Sequence, residues 1–176
     1  KKSFSSELLK LCKAGLSEDD SHKDITSDLT IKEGSCISFK ISTREDIVVC
    51  GVDIITFCFD ALLQLPKFKK SSLKLKLNCK DGALLKAGNV IAEGFGDAKL
   101  ILAGERVILN VLQHLSGIST LTHAFVKALD NEKITILDTR KTIPAMRILQ
   151  KYAVLMGGGS NHRFNLSDAI LIKDNH

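Results

Sequence analysis

The spacing of apolar positions changes several times along the chain, and each change predicts an element. Leu8, Leu9, Leu11 and Leu16 lie near helical spacing, which predicts a helix over residues 5–16 that ends near Gly15. The acidic stretch 18–28 has no apolar period and reads as a loop. Cys36, Ile37, Phe39 and Ile41 interleave with serine and lysine, the pattern of a half-buried strand. A short strand over 47–50 stops at Gly51, and an amphipathic helix over 52–65 stops before Pro66. Leu73, Leu75 and Leu77 alternate with lysines, predicting another strand. Asp81-Gly82 and Ala87-Gly88-Asn89 are turn signals, followed by a strand over 90–95. Residues 1–103 therefore read as a mixed α+β domain, a sheet layered against helices.

From Ala98 the period becomes helical. Leu100, Ile101, Val107, Ile108, Val111, Leu112 and Leu115 share one face, and a second helix is expected over 119–129. Residues 134–138 form a short apolar run that predicts a buried strand. Pro144 is expected to open a third helix, with Ala145, Leu149, Tyr152 and Met156 on its apolar face. Residues 169–172 predict a second buried strand. Strands alternating with helices imply a parallel sheet or barrel, so 104–176 reads as the first part of a (β/α) barrel. A closed barrel takes ~250 residues. The chain also starts without Met and stops just after a strand. It is thus expected to be part of a longer polypeptide, truncated at its C-terminus, with an incomplete barrel.

Composition narrows the function. The chain has 176 residues, 44% hydrophobic and 26% charged, with a net charge of +5, which suits a small anionic substrate as well as a polyanion. One Tyr, no Trp and no basic tract interleaved with aromatics leave a nucleic-acid reading without stacking groups. The five cysteines are odd in number and form no C-x-x-C pair, so they point to buried reduced thiols in a cytosolic protein. No apolar run approaches the ~20 residues needed to span a bilayer, and no signal peptide is evident.

Three stretches gather strong hydrogen-bond donors: Asp138 to Thr142 (DTRKT), Gly157 to Arg163 (GGGSNHR) and Ile170 to His176 (ILIKDNH). The first follows the carboxyl end of a predicted strand, the edge where α/β folds bind ligands. Arg140 suits a carboxylate held by two parallel bonds, and Lys141 suits a phosphate or leaving pyrophosphate. The three glycines before Asn161, His162 and Arg163 exceed what a helix cap requires and read as backbone that approaches a ligand closely. Lys173 ends an apolar strand, so it either snorkels to the rim or points into a site; on a barrel reading it faces the ligand, with Asp174 and Asn175 placed to orient it or a neighbour. Arg106, beside Glu105 on the long helix, reads by itself as a surface charge. Gln113 and His114 read as structural. No metal-ligand cluster is visible.

With Gly104 to Asn110 (GERVILN) and Ser116 to Thr120 (SGIST), these motifs make the chain resemble the quinolinate phosphoribosyltransferase family. The likeness is strong from 104 onward and looser before it, where EDDSHKDITSD over 18–28 matches an acidic start. Ile143, Ala145 and Met146 around Pro144 depart from the family's usual residues. The resemblance implies phosphoribosyl transfer from phosphoribosyl pyrophosphate to quinolinate with decarboxylation, giving nicotinate mononucleotide for NAD biosynthesis. It implies a substrate-binding set of Arg106, Thr139, Arg140, Lys141, His162, Arg163 and Lys173. Lys141, His162 and Lys173 would be catalytic, and Arg106 would reach into a partner subunit's site. It further implies Mg2+ carried with phosphoribosyl pyrophosphate, acidic groups for ribose and metal beyond residue 176, and a homodimer or higher homo-oligomer. Residues 1–176 alone are expected to be inactive. The alternatives are a paralogue on the same scaffold, of the molybdenum-transport-associated type, and a noncatalytic anion- or nucleic-acid-binding fragment.

Overall fold

A computed structural model describes residues 2–131 and 133–174 of the chain. Asn175, read above as an orienting group for Lys173, lies outside the described residues.

The first part is an antiparallel sheet backed by helices. Strands β1 (Cys36–Ser42), β3 (Leu73–Leu77) and β5 (Val90–Asp97) form a sheet in the order β1-β5-β3, with Cys36 and Leu73 opposite Asp97 and Gly96 of the central strand. The short strands β2 (Ile47–Val48) and β4 (Leu84–Leu85) pair separately. Phe39, Ile41, Leu73, Leu75 and Leu77 turn toward the helices, and the intervening lysines turn to water. Helix α1 (Lys2–Glu18) contributes Leu8 and Cys12, and α3 (Asp53–Leu63) contributes Ile54, Ile55, Cys58 and Leu62 to one continuous core.

The acidic stretch is not wholly a loop. Residues 25–30 form α2 (Ile25–Thr30), because the Asp24 carboxylate accepts the Ser27 N–H at 3.0 Å and caps the turn. The two helices expected after Ala98 are one, α4 (Ala98–Leu129), which runs through residue 104 without a break. Ser116, Ser119 and Thr120 are poor helix formers, but their hydroxyls make tertiary bonds. Ser116 accepts the Cys50 N–H at 3.0 Å, Thr120 accepts the Val48 N–H at 3.0 Å, and Ser119 donates to the Ala153 carbonyl at 2.9 Å. These bonds outweigh local propensity and carry the helix past Gly117.

The third helix, α5 (Arg147–Met156), starts later than Pro144 suggests. Pro144 and Ala145 form a turn, with Ala145 at φ 65°, so helical geometry begins only beyond it. The α5 helix packs against α4 and α1, and Tyr152 stacks on Phe4 with ring centroids 3.7 Å apart.

The two predicted buried strands differ most from expectation. Residues 134–138 make a single parallel bridge, Leu137 to Ser160, and residues 169–172 make none. The parallel partner therefore begins at Ser160, directly after the glycines. Ile134, Leu137, Ile170 and Ile172 are exposed, at 52%, 51%, 93% and 79%. A barrel strand is buried by neighbours on both sides, and among the described residues only one neighbour is present. The architecture is nonetheless α/β: an antiparallel sheet with helices, then extended segment, helix and parallel extended segment.

Candidate functional site

Two loops leave the parallel bridge side by side. One follows Leu137 and carries Thr139, Arg140 and Lys141; the other follows Ser160 and carries His162 and Arg163. The bridge holds their roots: Asp138 N–H donates to the Ser160 carbonyl at 3.1 Å and Ser160 N–H to the Ile136 carbonyl at 2.8 Å.

Asp138 is the hub between them. Its carboxylate accepts the Lys151 ammonium, the His162 N–H at 2.9 Å and the Asn161 side-chain amide at 2.6 Å. Lys151 also donates to the His162 carbonyl at 2.8 Å and sits 4.8 Å from the Phe164 ring centroid. Only 1% of Lys151 is exposed, and the Asp138 side chain only 6%. Taking away one partner would leave an uncompensated buried charge, at a cost of ~3–5 kcal/mol. Neither group was singled out as a partner for the other in the sequence, because a lysine inside a helix reads as surface. The available signal was an acidic residue at the end of an apolar strand, with no other role to occupy it.

The glycine run also serves packing within the chain, and Gly157 caps the end of α5. Gly158 alone takes a positive φ, at 89°. A Cβ on Gly157 would collide with the Ser119 carbonyl and come within 2.7 Å of Thr122 Cβ; one on Gly159 would lie 2.7 Å from Val154 and 2.9 Å from Thr122. Two of the three glycines thus let the chain pass close against α4, which delivers Asn161 and His162 to Asp138.

The remaining donors have these surroundings. Lys141 is exposed, and its N–H donates to Thr139 Oγ1 at 3.0 Å, which shapes the loop. Arg140 Nε is buried without a hydrogen-bond partner, a donor still to be satisfied. His162 Nδ1 accepts the Arg163 N–H at 2.7 Å, so the ring's proton is on Nε2 when the ring is neutral. The Arg163 guanidinium donates to the Ala169 carbonyl at 2.8 Å and ties in the segment that leads to the exposed Lys173. Arg106 is not brought to these loops. It is exposed on α4, eight residues before His114, roughly 12 Å along the axis. His114 does take part: its Nε2 meets Gln150 Nε2 at 2.9 Å, and Gln150 Oε1 accepts the Ile143 N–H at 3.0 Å. That relay couples α4 to the end of the first loop. Among the described residues no three His, Cys, Asp or Glu groups converge in a way that would hold a metal. No helix among them is long and apolar enough to cross a membrane.

This fold defines a class: a two-part α/β protein whose helix-backed antiparallel sheet leads into a parallel pair with cationic strand-end loops. Comparison with known proteins narrows it. Residues 24–116 match the model of the quinolinate phosphoribosyl transferase N-terminal domain, and residues 118–176 match that of its C-terminal domain. The chain belongs to the quinolinate phosphoribosyl transferase family. It is 45% identical over 170 residues to a probable nicotinate-nucleotide pyrophosphorylase (carboxylating) of Bacillus subtilis, covering 97% of this chain and 56% of that one. It is 37% identical over 171 residues to the chloroplastic nicotinate-nucleotide pyrophosphorylase (carboxylating) of Arabidopsis thaliana, covering 97% and 47%. The solved nicotinate-nucleotide pyrophosphorylase of Francisella tularensis superposes with a TM-score of 0.87 at 38% identity, covering 97% of this chain and 59% of that one. The chain spans about half the length of the curated relatives it matches.

Proposed function

We propose that the polypeptide containing this chain transfers the phosphoribosyl group of phosphoribosyl pyrophosphate to quinolinate, with loss of carbon dioxide, giving nicotinate mononucleotide and pyrophosphate for NAD biosynthesis. The observation that carries this reading is the joining of two cationic loops through one buried carboxylate, in a chain of this family. Quinolinate bears two adjacent carboxylates that repel each other, so its binding requires several fixed cations. Arg140, Arg163 and Lys173 supply them from this chain, and Thr139 adds a hydroxyl. His162, with Nδ1 occupied by the Arg163 N–H, orients that set and offers Nε2–H as a donor. Lys141, exposed on its loop, serves the phosphate side. Lys141, His162 and Lys173 are thus the catalytic groups.

The site is shared between subunits of a homodimer or larger homo-oligomer, with Arg106, exposed on α4, reaching into the partner's loops. The pyridine nitrogen attacks ribose C1 as pyrophosphate leaves, and the ring carboxylate adjacent to that nitrogen then departs as carbon dioxide. The chain's contribution is positioning and preorganised positive charge. Magnesium would come with the phosphoribosyl pyrophosphate substrate and offset the charge of its pyrophosphate. Residues 1–103 and 104–176 are the two working units. Five free thiols suit the reducing cytoplasm.

The test is calorimetric titration of quinolinate into the full-length polypeptide, with pyrophosphate release measured when phosphoribosyl pyrophosphate and magnesium are added. Saturable binding and release dependent on both substrates are expected. Absence of both would overturn the reading.

A further inference from the structure

Two cations on α5 are outside the proposed substrate set, yet each bridges the same two loops. Lys151 joins Asp138, at the root of the first loop, to the His162 carbonyl of the second. Arg147, one turn earlier on the same helix face, donates from Nε to Thr142 Oγ1 at 3.2 Å and from a terminal nitrogen to the Phe164 carbonyl at 3.0 Å. The Lys151 rung therefore ties the loops near their roots, and the Arg147 rung ties them beyond Lys141 and Arg163. Between the rungs lie Thr139, Arg140, Lys141 and Arg163, and His162 stands at the inner rung itself. Among the described residues the backbone supplies one parallel bridge, so the angle between the loops past that bridge depends on these side chains.

We propose that Arg147 and Lys151 form a two-rung clamp that positions the cations of one loop against those of the other, and so sets quinolinate affinity without either clamp residue touching substrate. This rests on the functional reading above. Burial of Lys151 keeps its ammonium away from any ligand. Both ends of each rung are hydrogen-bonded within the chain, and the forked guanidinium reaches a hydroxyl on one loop and a carbonyl on the other. A single ammonium at position 147 would not serve both directions equally.

The experiment uses the full-length polypeptide with Arg147→Met, Arg147→Lys, Lys151→Met and the double variant Asp138→Asn/Lys151→Met. Quinolinate KM, kcat, melting temperature and backbone hydrogen exchange over residues 138–142 are measured for each. Arg147→Met is expected to fold normally and to raise quinolinate KM about tenfold or more, since small misplacement of a binding group is costly. Arg147→Lys should not rescue it. Lys151→Met should lower the melting temperature, because it leaves Asp138 unpaired. The double variant removes that charge and should recover melting temperature, while quinolinate KM stays raised and exchange over 138–142 stays faster than in wild type. Unchanged KM in Arg147→Met, full rescue by Arg147→Lys, or KM recovering with stability in the double variant would overturn the clamp. If the wild-type polypeptide neither binds nor converts quinolinate, the functional reading fails instead. The clamp is then judged by exchange alone, and unaltered protection over 138–142 in Arg147→Met overturns it.

Discussion

Two glycine-to-alanine substitutions should act in opposite directions. Gly157 ends α5 with φ −80°, a value alanine adopts freely, and Gly117 lies inside α4. Alanine at either position narrows the unfolded ensemble, a gain of ~0.4–1 kcal/mol. At Gly117 nothing lies within 4 Å of an added Cβ, so the gain, together with better helix propensity, should appear undiminished at ~1 kcal/mol. At Gly157 the Cβ meets the Ser119 carbonyl and lies 2.7 Å from Thr122 Cβ. Both belong to α4, a long packed helix that cannot give way as a flexible side chain would. Overpacking of this kind costs ~1–3 kcal/mol or more, which outweighs the gain and leaves a net loss of ~1–2 kcal/mol. Urea unfolding followed by circular dichroism, with matched variants of one polypeptide, reads both changes as shifts in midpoint at constant slope. A stabilised Gly157→Ala, or a destabilised Gly117→Ala, would refute the claim that the second loop is delivered by close passage over α4.

Other outcomes follow from the same geometry. Arg140→Ala and Arg163→Ala in the full-length polypeptide should each weaken quinolinate binding by ~1.5–3 kcal/mol by calorimetry, the scale of a charge-assisted hydrogen bond, and near-normal affinity in both would remove them from the site. Chains carrying Arg106→Ala, mixed with chains carrying Arg140→Ala, should regain part of the activity; none, with subunit exchange demonstrated, would count against a shared site. Not all the thiols are buried as expected: Cys36, at the edge of the sheet, is exposed, so thiol labelling of the folded chain should modify it first, whereas Cys12, Cys50 and Cys58 are buried and burial pushes the Cys50 thiol up to about 12. Burial also raises the Asp81 carboxyl above its ordinary value, partly offset by the Val52 N–H. The folded state therefore holds that proton more tightly than the unfolded chain does, and its stabilising contribution is lost as pH rises through the raised value. The unfolding free energy of Asp81→Asn relative to wild type should rise between pH 4 and 7, and a pH-independent difference would contradict the assignment.

Most elements of the first half could be read from alternation and breakers, because there the side chains that make the pattern also make the core; the exceptions are α2, set by the Asp24 cap, and the two-residue strand β4. Phe39, Ile41, Leu73, Leu75 and Leu77 behave as their spacing says. Reading failed where distant partners decide. The hydroxyl bonds of Ser116, Ser119 and Thr120 fuse two expected helices, and nothing local announces Cys50, Val48 or Ala153 as their partners. The same holds for the site. The donor-rich loops were visible as motifs, but what holds them together was not, since a buried Lys151 is indistinguishable in sequence from a solvated one. The three glycines were visible too, but their packing role was not, because the surface they pass over belongs to a helix some forty residues earlier.

The unbroken course of α4 makes angular phase a constraint on this chain. A straight helix of its 32 residues is roughly 48 Å long and turns about 100° per residue. Arg106, His114, Ser116 and Ser119 lie on that one screw, so their mutual directions are set by counting. Inserting one residue between Arg106 and His114 would swing the arginine through about 100° while moving it only ~1.5 Å. Inserting seven would return it to within ~20° of its original direction, displaced by ~10 Å. Length variation in this stretch is therefore quantised: a small insertion is the more disruptive one, and a whole pair of turns keeps the bearing but changes the reach.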